Sequence, residues 1–137
     1  MKSLLKIIFA IAGFSLLLSA GSNPQSKPWV APDWADTIKN PLAGNVASID
    51  SGKKIYTKYC VVCHGSKGMG DGIAAAGLNP KPANHSSEAV QKQTDGAIFW
   101  KTTTGRPPMA GYGKTFNDDQ RWQLVNYMRT LKAPDKK

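Results

Sequence analysis

The run Cys60-Val61-Val62-Cys63-His64 constrains this 137-residue chain more than any other feature, because it contains both of the chain's cysteines. Two thiols two residues apart, followed directly by a histidine, have the spacing of a c-type haem attachment site. In such a site the thiols form thioethers with one porphyrin, and the histidine ligates the iron from one face. We therefore predict that Cys60 and Cys63 hold one covalent haem c, with His64 as an axial ligand.

Two other uses of the cysteine pair stay open at this point. In an exported protein the two thiols could form a disulfide. Half of a zinc site would need two further ligands, and His85 is the only histidine besides His64. We favour the haem, because the five-residue spacing matches its attachment site as a whole.

The first twenty residues have the pattern of a secretory signal. Lys2 and Lys6 give a positive start, an apolar stretch follows, and Ser19-Ala20-Gly21 offers small residues for cleavage. The alternative is an uncleaved membrane anchor, but the 14 residues from Ile7 to Ala20 fall short. A membrane-spanning helix needs about 20. We predict a signal peptide at residues 1–20 and an exported, periplasmic protein.

The charge balance bears on the partners. The chain has a formal charge of +9, and loss of residues 1–20 with their two lysines would leave it near +7. Such a balance suits nucleic acid, an anionic membrane or an acidic protein. Nucleic acid is disfavoured for an exported protein without a basic block. We expect redox proteins with an acidic docking patch as partners. Our candidates for the basic docking rim are Lys67, Lys81, Lys101 and Lys114.

The composition divides the chain into four segments. After the signal peptide, residues 21–46 form a proline-containing extension that also holds Trp29 and Trp34. Four prolines in this stretch argue against a helix or an inner strand. Whether the tryptophans pack onto the domain or a partner, or belong to a disordered tether, stays open on composition. Residues 47–133 form the haem domain, and residues 134–137 are a basic tail.

Three helices are predicted in the haem domain, and no strand alternation is present. The first extends from about Ser48, as its N-cap, to Tyr59, with Gly52 and Tyr56 on one face. A glycine inside a helix suggests the close approach of another helix. The second extends over 95–104, with Gly105 as its stop. We therefore predict an all-α domain.

The third predicted helix, 118–131, is the one that approaches Gly52. Asn117 and Gln120 have the spacing of a capping box at its start. Apolar residues at positions i, i+3, i+4 and i+7 give it a core-facing stripe, which consists of Leu124, Tyr127, Met128 and Leu131.

The sixth iron ligand is the main open choice. Met128 lies on the core stripe and is assigned to packing. Met69 is five residues after His64, a short and strained reach around a porphyrin. Met109 follows two prolines that stiffen its backbone, and 45 residues separate it from His64. We favour Met109 over His85, Met69 and an open position.

These motifs, in this order, resemble those of class I mono-haem cytochromes c. The resemblance covers 48–131 and includes the helix with Gly52 and Tyr56, the haem motif with Gly65, the run 68–72, the prolines near 80–82, the run 105–109 and the helix with Tyr127. It implies crossed N- and C-terminal helices around one haem, with His64 and Met109 as the axial pair. The extension lies outside the family's pattern.

The expected function is that of an electron carrier and not of an enzyme. A saturated His–Met iron would leave no site for a small-molecule substrate, and it would cycle between Fe(II) and Fe(III). The second nitrogen of His64 should donate to a carbonyl near Pro80 or Pro82. The alternatives are a haem subunit of a larger respiratory or dehydrogenase complex, membrane-bound or not, and a haem enzyme or gas sensor with an exchangeable sixth ligand.

Overall fold

The computed structural model of the protein describes residues 28–134, in which all regular structure is helical. Its α-helices are α1 (Val46–Tyr59), α2 (Val61–His64), α3 (Glu88–Gln91), α4 (Asp95–Thr104) and α5 (Asp118–Thr130), and two 3₁₀ helices extend over Asp33–Thr37 and Ala75–Gly77. No β-strand occurs in this part of the chain, so the all-α prediction is confirmed. The predicted signal peptide, the start of the extension and most of the basic tail lie outside the described residues.

Helices α1 and α5 form the centre of the domain, and they cross in backbone contact. Gly52 of α1 is buried, and a Cβ added there would overlap the carbonyl oxygen of Gln123 and lie 3.0 Å from the Cβ of Tyr127. Any side chain at position 52 would therefore push the two helices apart. The predicted close approach at Gly52 is confirmed.

The start of α1 differs from the prediction. The helix begins at Val46, and the side chain of Asn45 caps it by accepting a hydrogen bond from the Ser48 backbone N–H at 3.1 Å. Ser48 was predicted to be the cap, but it lies inside the helix with 4% of its surface exposed. Its hydroxyl accepts a hydrogen bond from the side-chain amide of Asn126 on α5. Ser48 therefore joins the two helices.

The other helix ends agree closely with the sequence. The predicted capping box of α5 is present: Asn117 accepts from the Gln120 backbone at 2.9 Å, and Gln120 accepts from the Asn117 backbone at 3.0 Å. Helix α5 ends at Thr130, one residue before the predicted end. Helix α4 has the predicted bounds, and Gly105 ends it with a φ of 68°.

The core is built from the apolar faces of α1, α4 and α5. Tyr56, Leu124 and Val125 are completely buried, and Met128 belongs to the same cluster, as predicted. The ring of Phe99 on α4 stacks on Trp122 of α5 with centroids 4.0 Å apart. The core therefore fixes α4 against the crossed pair. In residues 28–134 we find no helix long and apolar enough to cross a membrane.

The described part of the extension, residues 28–45, packs along α4. Ala35 is completely buried, and its carbonyl lies so close to Gly96 of α4 that a Cβ there would overlap it. Thr94, the N-cap of α4, donates its hydroxyl hydrogen bond to the carboxylate of Asp36 at 2.6 Å. The 3₁₀ helix of the extension therefore sits over the first turn of α4.

The two tryptophans of the extension have different environments. Trp29 lies near Trp100, with ring centroids 6.3 Å apart, and under the guanidinium of Arg106, 5.2 Å from its ring centroid. Trp34 keeps 58% of its surface exposed. Packing onto the domain thus explains Trp29 and leaves Trp34 at the surface.

We predict that Gly52→Ala lowers the free energy of unfolding of the holoprotein by about 1–3 kcal/mol, the usual cost of overpacking. The obstructing atoms are backbone, so no side-chain rotation relieves the overlap. Chemical denaturation followed by circular dichroism measures this. Gly77→Ala is the matched control, because nothing lies within 4 Å of an added Cβ there. Equal stability of the two variants would contradict the crossing.

We also predict that Gly96→Ala releases the extension from α4, because the new methyl group displaces the Ala35 carbonyl. Limited proteolysis of the holoprotein should then remove Trp29 faster than in the parent protein, while α4 and α5 stay resistant. Gly77→Ala should retain the parent cleavage rate. Unchanged protection of the extension in Gly96→Ala would show that this contact does not hold it.

Candidate haem site

The predicted attachment residues project from a single helical turn. Helix α1 ends at Tyr59, and α2 begins after Cys60, whose carbonyl accepts from the backbone N–H groups of Cys63 at 3.2 Å and His64 at 2.8 Å. Residues three and four apart on a helix share a face. Both thiols and the imidazole therefore leave the backbone in one direction. No disulfide joins the two cysteines.

A glycine-rich loop closes the open end of this turn. The backbone N–H groups of Gly70, Gly72 and Ala74 donate to the carbonyls of His64, Cys63 and Val62, at 2.8, 3.1 and 2.9 Å respectively. At Gly72 an added Cβ would overlap the backbone of residues 61–63. The loop therefore follows the motif closely and satisfies the last carbonyls of α2, which a helix leaves without partners.

His64 is prepared for axial ligation. It is 8% exposed, and its Nδ1 lies 2.9 Å from the carbonyl oxygen of Ala83. Because a carbonyl only accepts, Nδ1 carries the hydrogen and Nε2 keeps a free lone pair. Burial lowers the pKa of His64, which favours the neutral form that a metal needs. The acceptor directly follows Pro82, in the segment that the sequence indicated.

His85, the weaker candidate for sixth ligand, lies beside His64. The two imidazole rings are stacked, with centroids 4.0 Å apart and planes 19° apart. Two axial ligands point at each other across a porphyrin, whereas these rings lie face to face. This geometry assigns His85 to the proximal side. Burial, and then the neighbouring His64, lowers the pKa of His85 to about 3.

The three methionine candidates also separate. Met128 is 7% exposed within the core, and Met69 is 52% exposed in the glycine loop. Met109 is partly buried at the end of a tight turn that begins at Arg106. Two backbone hydrogen bonds between these residues, at 3.0 and 2.8 Å, close the turn. The structure thus holds the backbone of Met109 firmly.

The segment after Met109 returns to the haem motif. The Tyr112 backbone N–H donates to the Thr102 carbonyl at 2.9 Å, and its hydroxyl donates to the carbonyl of Tyr59 at 3.4 Å. Burial, and then Cys60 and Cys63, raises the pKa of Tyr112. Three residues span at most about 11 Å. The backbone of Met109 therefore lies within about 11 Å of the backbone of Tyr112, whose side chain contacts the residue preceding Cys60.

Sequence reasoning missed the roles of Tyr112 and His85. Neither lies on a periodic face, and each gains its role from contacts with residues far away in the chain. Burial, and then Cys63, raises the pKa of the Cys60 thiol to about 12, so the thiol is uncharged before attachment. Burial also raises the pKa of Tyr56, followed in effect by Cys60.

The donor set fits haem c better than zinc. In the described part of the chain, no three His, Cys, Asp or Glu side chains come together as a metal site. Haem needs fewer protein donors: two thiols on one face and one imidazole with its outer nitrogen free. Cys60, Cys63 and His64 provide these donors. A zinc site would need further protein ligands, and the described part of the chain does not bring such a group together.

The comparison with known families decides the identity. Residues 47–128, more than half of the chain, match the family described as cytochrome C oxidase, cbb3-type, subunit III. The chain belongs to this family of c-type cytochromes. It therefore carries covalently bound haem c with its iron, and the class I resemblance is confirmed.

Known relatives agree with this membership. The chain is 26% identical over 132 residues to a thiosulfate dehydrogenase of Stutzerimonas stutzeri (strain A1501), a match that covers 93% of the chain and 40% of the relative. The chain thus spans less than half of that protein's length. Of two similar solved structures, one is named as a complex and the other as a c-type cytochrome.

The first similar structure is the Kuenenia stuttgartiensis reducing HAO-like protein complex Kustc0457/Kustc0458. It has a TM-score of 0.60 and 29% identity, covering 70% of this chain and 50% of that one. The second is the KustC0563 c-type cytochrome, with a TM-score of 0.52 and 25% identity, covering 60% of this chain and 98% of that one. The matched region thus makes up half of the first of these chains and nearly all of the second.

Proposed function

We propose that the protein is an exported, single-haem electron carrier whose iron is held between His64 and Met109. The observation that carries the proposal is the position of the Met109 turn. Its backbone is closed by two hydrogen bonds to Arg106, and Tyr112 ties the following residues to the carbonyl just before Cys60. This tether supports Met109 as the thioether ligand of the haem that Cys60 and Cys63 attach.

The chain's own residues then define the chemistry. His64 offers a neutral imidazole from one side, with its Nδ1 anchored on the Ala83 carbonyl and its Nε2 left to bind the iron. Met109 offers a soft thioether from the other side, which favours ferrous iron and raises the reduction potential relative to a second histidine. When bound, haem c supplies a one-electron Fe(II)/Fe(III) couple. With His64 and Met109 both bound to the iron, no position would be left for a substrate, and the chain would act as a carrier and not as an enzyme.

We predict that Met109→Ala abolishes the weak red absorption band that marks iron–thioether bonding in ferric cytochromes. It should also lower the midpoint potential and allow the ferrous protein to bind carbon monoxide, because a soft ligand is lost and a position opens. Optical titration measures all three. The matched control is Met69→Ala, since Met69 is 52% exposed in a loop.

The control should retain the parent spectrum, potential and resistance to carbon monoxide. A parent protein that already binds carbon monoxide rapidly and lacks the band would refute the Met109 assignment. That result would favour the alternative, a haem enzyme or gas sensor with an exchangeable ligand.

The basic surface supports redox partners with an acidic docking patch. Of the four candidate lysines, Lys81 donates to the carbonyls of Ala75 and Ala76 at 3.1 and 2.7 Å, and so serves the local fold. Lys101 is partly buried, and burial, followed by Arg106, lowers its pKa. Lys67 and Lys114 are exposed. They stand three residues after His64 and two after Tyr112, beside the site segments.

We predict that oxidation of the ferrous protein by ferricyanide, an anion, slows as ionic strength rises, because salt screens attraction to the basic surface. Oxidation by tris(phenanthroline)cobalt(III), a cation, should not slow. Stopped-flow absorbance gives both rates. Replacing Lys67 and Lys114 by glutamate should weaken the salt dependence with ferricyanide, whereas Lys92→Glu should change it less. Indifference of both oxidants to salt would remove electrostatic docking from the proposal.

The carrier is proposed to act in the periplasm, directed there by residues 1–20, with cleavage rather than anchoring as the outcome. N-terminal sequencing of the mature holoprotein, after expression with a c-type maturation system, tests this directly. A mature chain that begins near residue 21 is the expected result. Retention of residues 1–20 in the membrane fraction would favour the anchored alternative.

A haem subunit of a larger redox complex is the second candidate. Two observations favour it: the structural relative named as a complex, and Trp34, which is 58% exposed on a segment that packs firmly against α4. An exposed tryptophan is a common interface anchor. The native molecular mass of the protein in its source extract distinguishes the two candidates, since a free carrier migrates as a single chain.

A further inference from the structure

His85 is a second imidazole at the haem site, and the proposed electron-carrier chemistry does not use it. It is 7% exposed, and its ring lies face to face with that of His64, with centroids 4.0 Å apart and planes 19° apart. A polar ring is costly to bury unless it is hydrogen-bonded. Its place directly against the proposed axial ligand therefore calls for a role.

The position of His85 is fixed from several sides. Its Nδ1 lies 3.1 Å from the hydroxyl oxygen of Tyr56, and that hydroxyl donates its hydrogen to the Gly65 carbonyl at 3.3 Å. Its backbone N–H donates to the Gly68 carbonyl at 2.6 Å, and its carbonyl accepts from the Gln91 side chain at 2.6 Å. The contact with Tyr56 holds the ring of His85, and the contacts with Gly68 and Gln91 hold its backbone.

Tyr56, Gly68 and Gln91 form a cage around His85, and this cage is closely packed. At Gly68, where φ is 72°, an added Cβ would lie 3.1 Å from the Cβ of His85 and 2.8 Å from Leu131. Gln91 also donates to the carbonyl of Met128, which links the cage to the end of α5. The space around His85 is therefore filled, and the residue cannot move without moving its neighbours.

The other contact of His64 leaves its ring plane under-determined. The hydrogen bond from Nδ1 to the Ala83 carbonyl fixes one atom of the imidazole. The ring is also held covalently at Cγ, but a single hydrogen bond tolerates a range of angles, so the plane keeps some freedom to tilt. A flat neighbour at van der Waals distance removes this freedom, because any tilt of one ring brings its edge into the face of the other.

We propose that His85 is a positioning residue for the axial imidazole: anchored by Tyr56, its ring fixes the plane of His64 and keeps water away from that side of it. The inference rests on the proposed role of His64 as an iron ligand. Groups behind a ligating histidine set its orientation, and the shell around a redox centre controls solvent access and hence the potential.

The experiment compares variants of the ferric and ferrous holoprotein by proton NMR and redox titration. In ferric low-spin haem proteins the pattern of the haem-methyl shifts reports the orientation of the axial ligand planes. His85→Ala should change that pattern, because His64 gains freedom. It should also lower the midpoint potential, because water reaching the ligand favours the ferric state.

Conservative variants separate positioning from simple packing. His85→Phe keeps a flat ring and should restore most of the parent methyl pattern. His85→Leu fills similar volume without a flat face and should leave the pattern altered, and it replaces the alanine variant if that one does not yield holoprotein. Tyr56→Phe removes the anchoring hydroxyl but no ring, and should give a smaller change in the same direction.

Val125→Ala is the control for core damage, since Val125 is completely buried on α5. It should lower the melting temperature and leave both the methyl pattern and the potential unchanged. If the histidine variants behave in the same way, the positioning role is overturned and His85 is a packing residue. The red iron–thioether band should persist in all of them. A parent protein that lacks both this band and low-spin methyl shifts would instead overturn the proposed axial pair.

Discussion

The hydrogen bond from His64 to the Ala83 carbonyl is the contact on which the site depends, because it decides which imidazole nitrogen faces outward with a lone pair. Its acceptor must be placed accurately, and the chain places it with a segment stiffened by Pro80 and Pro82. That segment packs on the glycine loop: a Cβ at Gly70 would lie 2.6 Å from the Pro82 carbonyl oxygen. The haem motif, the loop and the proline segment therefore form one unit.

The crossed helices α1 and α5 also contact this unit, through Tyr56. Tyr56 lies one turn after Gly52 on α1, and its ring packs against Tyr127 of α5 with centroids 5.1 Å apart. Its hydroxyl reaches the Gly65 carbonyl and the ring of His85. A shift of the two helices would therefore displace Gly65 and His85, which lie next to His64. Stability of the core and geometry of the site are properties of one set of contacts.

The sequence predicted the features that local chemistry determines. The capping box of α5, the glycine stop of α4 and the glycine at the crossing each depend on residues a few positions apart or on the absence of one side chain. Ser48 shows where this reasoning fails. Both Ser48 and Asn45 have side chains that can cap a helix. The hydroxyl of Ser48 is instead bonded to Asn126, which is 78 residues away in the chain, and Asn45 is the cap.

The contacts of His85, Tyr112 and Trp29 could not be predicted from the sequence for the same reason. The polar contact of His85 is 29 residues away in the chain, and that of Tyr112 is 53 residues away. No periodic pattern records such pairings, and composition left the extension open between a packed segment and a tether. Contacts in three dimensions, with Thr94, Gly96 and Trp100, show that it is packed.

The turn that carries Met109 is contacted from two directions, and this relates the extension to the site. On one side Tyr112 ties it to the end of α1, within the region that matches the family. On the other side Trp29 lies under Arg106, the residue that closes the turn, at 5.2 Å, and near Lys101 at 5.8 Å. A cation over the face of an aromatic ring is attracted to it. The family match begins at residue 47. A segment outside that match therefore packs against the same turn that the haem domain must hold in place.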